Sequence, residues 1–123
     1  MINPFAEHAG TGRYESPIEE RLGRELFHPH LKVFPQAQIG KYRVDFLVEW
    51  IGGVRPIFAA VECDGDEFHN SGSQKVADAI RQNEILALGV SVIRFTGSEI
   101  TRDAQRCVDA IVGILECKAR ESF

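Results

Sequence analysis

No apolar run in this chain approaches the length needed to cross a membrane, so a membrane-embedded role is not expected. The first ten residues, Met1 to Gly10, lack a basic stretch followed by an apolar one, and so do not read as a signal peptide. Cysteine is sparse. Cys63, Cys107 and Cys117 are odd in number and fall at no metal-ligand spacing, which excludes a disulfide framework and a zinc ribbon. They read as buried free thiols in a reducing compartment, and the expected location is cytoplasmic. A basic excess is also missing: 14 Lys and Arg stand against 18 Asp and Glu, for a net charge of −4. A protein that grips nucleic acid unaided usually presents a basic surface, so any such grip here needs a local patch or another subunit. Internal repeats, low-complexity segments and a second domain are absent as well.

What is present suits one compact domain: 123 residues, of which 44% are hydrophobic. Residues 1–15 are polar and contain Gly10 and Gly12, and are expected to be a flexible arm. Ser16, Pro17 and Glu19 form a helix start, with an N-cap, a first-position proline and the acid of a capping box. Ile18, Leu22 and Leu26 give that helix an apolar stripe, and Phe27 to Pro29 end it. A first strand is expected from Lys32 to Ile39, with Pro35 pointing to an edge position. Gly40 marks a turn. Tyr42, Val44, Phe46, Val48 and Trp50 then alternate as one buried face of a second strand, with Lys41, Arg43 and Asp45 on the other. Gly52-Gly53 closes a hairpin into a more continuously apolar third strand, Pro56 to Cys63, expected to be central and covered on both sides.

A polar loop from Gly65 to Gly72 leads into a second helix, Ser73 to Leu88, with Val76, Ile80 and Ala87 expected inward and Gly89 as its stop. Ser91 to Phe95 reads as a short fourth strand. One last helix is expected from Ser98, with Ile100, Cys107, Val108, Ile111, Val112 and Leu115 as its stripe, Lys118 and Arg120 near its C-terminus, and a frayed tail over 119–123. The single domain therefore spans 16–118. Its order is helix, three-stranded meander, helix, strand, helix, an α/β architecture with a mixed sheet flanked by helices.

Two strands carry carboxylates inside apolar sequence. Asp45 sits between Val44 and Phe46; Glu62 follows Phe58-Ala59-Ala60-Val61, and Asp64 lies two residues on, pointing the same way as Glu62. If the second and third strands pair, these acids gather on one patch. Like charges so close need a cation, and an all-oxygen set suits Mg²⁺ or Mn²⁺. Structural alternatives exist for each residue. Asp45 could pair with Arg43 or Lys41, and Asp64-Gly65 could be only a turn. Glu19 could serve only as a cap, and Arg81 could pair with Asp78 or Glu84 along its own helix. Lys75 could be a solvated charge and His69 a surface histidine. Gln36 could bond a strand end, and Arg94 could partner a buried acid.

Several motifs occur in order: Ser16-Pro17-Ile18-Glu19, Gln36 ahead of Gly40, Tyr42-Arg43-Val44-Asp45-Phe46, Val61-Glu62-Cys63-Asp64-Gly65, Phe68-His69, and the segment Gly89 to Ile100. The series resembles the endonuclease-like domains of the PD-(D/E)XK superfamily, in the group related to very-short-patch repair endonucleases. The likeness covers about Ser16 to Asp109. It implies a restriction-endonuclease-like core and Mg²⁺-dependent hydrolysis of a DNA phosphodiester. By motif, it implies metal ligation by Asp45, Glu62 and Glu19, catalytic roles for Asp45, Glu62, Asp64, His69 and Lys75, and supporting roles for Gln36 and Arg81. Asp64 stands where the superfamily usually has a lysine, an acid being common there in this group. Departures are Asn83, where an acid is expected, and Asn70 to Ser73, where lysines are expected; Lys75 or Arg81 would fill the displaced cationic role. The expected partners are DNA and, given the acidic balance, a second copy or another protein for targeting. The alternative is a nuclease fold weakened in catalysis that binds DNA or a partner protein.

Overall fold

The computed structural model describes residues 14–65 and 72–121. The chain runs α1 (Pro17–Glu25), β1 (Leu31–Ile39), β2 (Tyr42–Trp50), β3 (Ile57–Asp64), α2 (Gly72–Ala87), β4 (Val90–Thr96), α3 (Gly97–Arg102) and α4 (Ala104–Glu121). The strands lie in the order β1-β2-β3-β4; β1, β2 and β3 form an antiparallel meander, and β4 joins β3 in parallel after the α2 crossover. Pro35 is on the edge strand β1, where a missing amide is tolerated. The central strand β3 is buried from Phe58 to Glu62.

The two faces of the sheet differ. On one, Phe46, Val48, Trp50, Ala59 and Val61 pack with Leu22 and Leu26 of α1, Ile100 of α3, and Val108, Ile111 and Leu115 of α4. On the other, a smaller cluster joins Ala37, Ile39, Val44, Leu47, Phe58, Ala60 and Val90, and Ile85 alone comes to it from α2. The inward residues expected on α2 are therefore corrected: Val76 and Ile80 are 61% and 51% exposed, and Ala87 is also exposed. The sheet-facing stripe of α2 is instead Asp78, Arg81 and Ile85, at the i, i+3, i+7 spacing of one helix face. Ion pairs to the sheet, described below, hold that stripe in place.

The expected last helix is two helices. The first of them, α3, begins at Gly97 rather than Ser98, and Thr96 caps it in a full capping box with Glu99. Asp103 then leaves helical geometry and its carboxylate accepts the backbone N–H of Arg106, which starts α4. The α4 helix continues through 119–121, residues expected as a frayed tail, and Ala119 packs on the larger core. The thiols also depart from expectation: Cys107 is buried, Cys63 half-buried and Cys117 exposed, all free. The expected N-terminal arm lies outside the described residues up to residue 13; Tyr14 sets its ring against Phe46, 6.0 Å between centroids.

Candidate active site

The acids meet where the sheet forks. Pairing between β2 and β3 ends at Phe46 with Val61, whereas β1–β2 continues to Ile39 with Tyr42 and β3–β4 to Asp64 with Thr96. The next pair in register would set Asp45 opposite Glu62. Instead the Asp45 carboxylate enters the gap and accepts the backbone N–H of Cys63 at 2.8 Å, taking the place of a ladder carbonyl. On the other side of Asp45 the β1–β2 ladder is interrupted too. Gln36, which faces it in register, has φ +48°, the left-handed region that a residue with a side chain rarely adopts. Beyond this kink Ala37 and Val44 belong to the α2 side of the sheet, although Phe46, two residues from Val44, belongs to the opposite side.

The kink carries a polar contact. Buried Gln36 donates its amide to a carboxylate oxygen of Glu19, which is 5% exposed. The other oxygen of Glu19 accepts from the Ser16 hydroxyl at 3.0 Å, and Ser16 Oγ in turn accepts the Glu19 backbone N–H at 3.2 Å. Glu19 thus belongs both to the helix start and to the site. Gln36 does not cap a strand end.

Burial pushes the Asp45 carboxyl up to about 7; the Cys63 N–H opposes this, and the charges of Glu19, Glu62 and Asp64 add to it. Burial raises Glu62 as well, against the pull of Arg81 and Arg94, with Asp64 adding to the rise. Burial comes first for Asp64 too, followed by the opposing pull of Arg94. The Cys63 thiol is raised by burial and then by all four acids, which places it among them.

Two arginines answer this charge. Arg81 of α2 makes an ion pair with Glu62 and donates to the backbone carbonyl of Arg43 at 3.0 Å. Arg94 of β4 holds Asp78 of α2 with two hydrogen bonds of 2.7 Å and stands 3.7 Å from Asp64. The crossed pairs, α2 to β3 and β4 to α2, tie the helix to the sheet over the acids. Arg43 and Lys41 pair with Glu15 and Glu84, not with Asp45. Arg81 pairs with Glu62, not with Asp78 or Glu84. Lys75 is exposed on the first turn of α2, and no ion pair joins it to the acids among the described residues. His69 lies outside the described residues.

Asp78 was not singled out from sequence as a site residue. A helix-borne acid beside Arg81 looks like a local pair, and only the fold brings Arg94 to it. The Cys63 amide could not be anticipated, because it is free to bind Asp45 only when the strands part.

Among the described residues no three acids, histidines or cysteines stand close enough together to hold a metal ion as their side chains lie. The chemistry of the donor set nevertheless fits a hard divalent cation. Asp45, Glu62 and Glu19 offer only oxygens, and burial raises the Asp45 and Glu62 carboxyls, so their charged forms are disfavoured without a cation.

A four-stranded mixed sheet flanked by helices, with acids at a fork between its central strands, makes an α/β domain compatible with a restriction endonuclease-like fold. The chain belongs to the REase_MTES_1575 family, whose model matches residues 18–115. No curated protein and no solved structure matches it. No helix among the described residues is long and apolar enough to cross a membrane.

Proposed function

We propose that this domain is a metal-dependent endonuclease of the PD-(D/E)XK type, in the group related to very-short-patch repair endonucleases, and that it hydrolyses phosphodiester bonds of DNA. The family membership points to a nuclease. The observation that carries the reading is the Asp45 carboxylate inserted in the sheet fork beside Glu62, Asp64 and Glu19. In the proposal Asp45, Glu62 and Glu19 hold Mg²⁺ or Mn²⁺. Such an ion supplies charge stabilisation at a phosphoryl oxygen and an acidified water. Gln36 and Ser16 fix the Glu19 carboxylate. The Cys63 N–H orients Asp45. Arg81, the cation in contact with Glu62, takes the role assigned by motif to a lysine and would donate to the phosphate; Lys75 is the second candidate for that role. Asp64, 3.7 Å from Arg94, keeps that arginine directed toward the acids while Asp78 holds it. His69 is retained as a phosphate or water contact.

A plasmid-nicking assay with Mg²⁺, with Mn²⁺ and with chelator, wild type beside Asp45→Asn, tests the reading. Nicking that needs the ion and falls by roughly a hundredfold to ten-thousandfold in the variant is expected, since a metal site contributes several kcal/mol of transition-state stabilisation. Equal nicking by both proteins would remove the acids from the mechanism. One observation favours a second reading, a module that binds DNA or a partner protein without cutting: Glu62 is already paired with Arg81. A folded wild type that shows no metal-induced rise in Tm and no nicking, yet retains DNA binding, would select it.

A further inference from the structure

The acidic balance of the chain requires a local positive surface if the domain is to hold a polyanion, and five of its thirteen described lysines and arginines are held in ion pairs. Arg24 pairs with Glu20, Lys41 with Glu84, Arg43 with Glu15, Arg81 with Glu62, and Arg94 with Asp78. At the junction of α3 and α4, two arginines outside those pairs line one groove. There a groove of about 490 Å³ runs between Phe95 of β4 and the two helices, with Arg102 and Arg106 in its wall. The arginines flank Asp103, the residue at which the helix breaks, and both are exposed. No ion pair within 4.0 Å engages either among the described residues.

The groove also contains two acids, Glu99 and Asp103, and they are the obvious objection. Both are committed to the backbone. The Glu99 carboxylate accepts the Thr96 N–H at 3.0 Å, and that of Asp103 accepts the Arg106 N–H at 3.1 Å. Glu99 is held below the ordinary carboxylate range first by that backbone bond, and Arg102 contributes last. The acids keep their charge as helix caps, but neither forms an ion pair within 4.0 Å with Arg102 or Arg106, so the guanidinium donors remain available to an incoming anion. A third arginine, Arg21 of α1, reaches the same corner and donates to the carbonyls of Ile100 and Thr101 at 3.3 and 3.2 Å. It adds positive charge while bracing α3.

The groove lies at the acidic end of the sheet. Phe95 pairs with Cys63 and Thr96 with Asp64, so its β4 wall adjoins the strand that carries the acids; the groove opens on the α3 and α4 side of the sheet and Glu62 turns to Arg81 of α2 on the other, the two sides meeting at the C-terminal ends of β3 and β4. Planar guanidinium groups match phosphate oxygens in a two-point fashion that lysine cannot reproduce. We propose that the groove walled by Phe95, Arg102 and Arg106 is a phosphate-backbone subsite, which holds the DNA strand flanking the bond presented to Asp45 and Glu62. The proposal rests on the endonuclease reading for its ligand, but it concerns binding and can fail separately.

The test is anisotropy of a short fluorescein-labelled DNA duplex with the full chain in chelator, across a salt series, for wild type, Arg102→Ala/Arg106→Ala, Arg102→Lys/Arg106→Lys, and Arg55→Ala as a control on an exposed loop. Each lost phosphate contact lowers the slope of log Kd against log salt by about 0.9. The double alanine variant is expected to lose about 2 from the slope and to bind roughly tenfold to a hundredfold more weakly at low salt. The double lysine variant should keep most of the slope, and Arg55→Ala all of it. An unchanged slope in the double alanine variant, an equal loss in Arg55→Ala, or no duplex binding by wild type at low salt would each overturn the proposal. Cleavage by wild type at saturating DNA is scored separately. Arginine-dependent binding without cleavage would leave the subsite standing and remove the nuclease reading; cleavage with arginine-independent binding would do the reverse.

Discussion

The two faces of the sheet are built on different principles. Under α1, α3 and α4, large side chains close a dry layer: Leu22, Phe46, Ile100, Ile111 and Leu115 are fully buried there. Under α2, one buried apolar residue of the helix, Ile85, meets the sheet, and polar contacts join it there, among them Arg81 on Glu62, Asp78 on Arg94 and Glu84 on Tyr42 and Lys41. Hydrophobic burial is non-directional and accumulates with area. Ion pairs that are partly buried repay little of their own desolvation, but they fix geometry. One face thus supplies most of the stability. The other is where a helix can be positioned over acids, and can yield to a ligand, without the core being disturbed.

This contrast can be broken directly. Phe46→Ala empties the centre of the dry layer and should cost about 3–5 kcal/mol, whereas Ile85→Ala removes the sole buried residue of α2 and should fall near the low end of the range for such truncations, about 2 kcal/mol. Urea unfolding of both variants measures this. If Ile85→Ala proves as costly as Phe46→Ala, α2 is part of the main core and the division between the faces is wrong. Hydrogen exchange sharpens the same comparison: amides of α2 should open at lower free energy than those of α4.

A smaller effect is expected at the fork itself. The Asp45 carboxyl is raised from 3.8 to about 7 by burial, and then by its acidic neighbours. Between those values the folded state holds a proton that the unfolded state has lost. Stability therefore falls as pH rises through that window, and the cost is complete above it. Asp45→Asn keeps an acceptor for the Cys63 N–H and removes the charge. In chelator it should stabilise the protein at about pH 8 by the order of 1–2 kcal/mol, after discounting for solvent that screens the half-open carboxyl, and by less at about pH 5. Mg²⁺ should narrow the difference at the higher pH by stabilising wild type alone. Melting curves that show the larger gain at the lower pH would mean that Asp45 is not held in an unfavourable charged state. The substitution expected to abolish cleavage would then strengthen the fold, as when a site is retained at the expense of stability.

The strands and their meander were legible because alternation from Tyr42 to Trp50 and the continuous run into Glu62 leave few other arrangements. Asp45 and Glu62 stood out for the same reason: an acid inside an apolar strand has no cheap explanation. The face of α2 was not legible. Val76, Ile80 and Ala87 form an apolar stripe at helical spacing, and the rule that such a stripe packs inward points the wrong way when the sheet beneath presents Glu62 and Asp64. The helix turned its charges to the acids and left the apolar stripe outside. The break at Asp103 escaped because one apolar periodicity runs on across it from Ile100 to Cys107; the only local sign was a short acid able to cap Arg106. The fork could not be read at all, since it is a property of two strands parting and belongs to neither.

Gln36 shows most clearly how the site draws on the fold. Its left-handed backbone costs about 1–2 kcal/mol for any residue with a Cβ, and that conformation accompanies the bond from its amide to buried Glu19. Two substitutions separate these effects. Gln36→Ala and Gln36→Gly both deprive Glu19 of the Gln36 amide and leave it the Ser16 hydroxyl, but only glycine relieves the backbone. The glycine variant should therefore be the more stable of the two by about 1 kcal/mol, although glycine in a strand is ordinarily the worse choice. Both should nick DNA more slowly than wild type, if the contact with Glu19 matters to the site. Equal stability of the two variants would mean that the kink at Gln36 relaxes once its side chain is gone, and that the contact with Glu19 holds the backbone in place rather than the reverse.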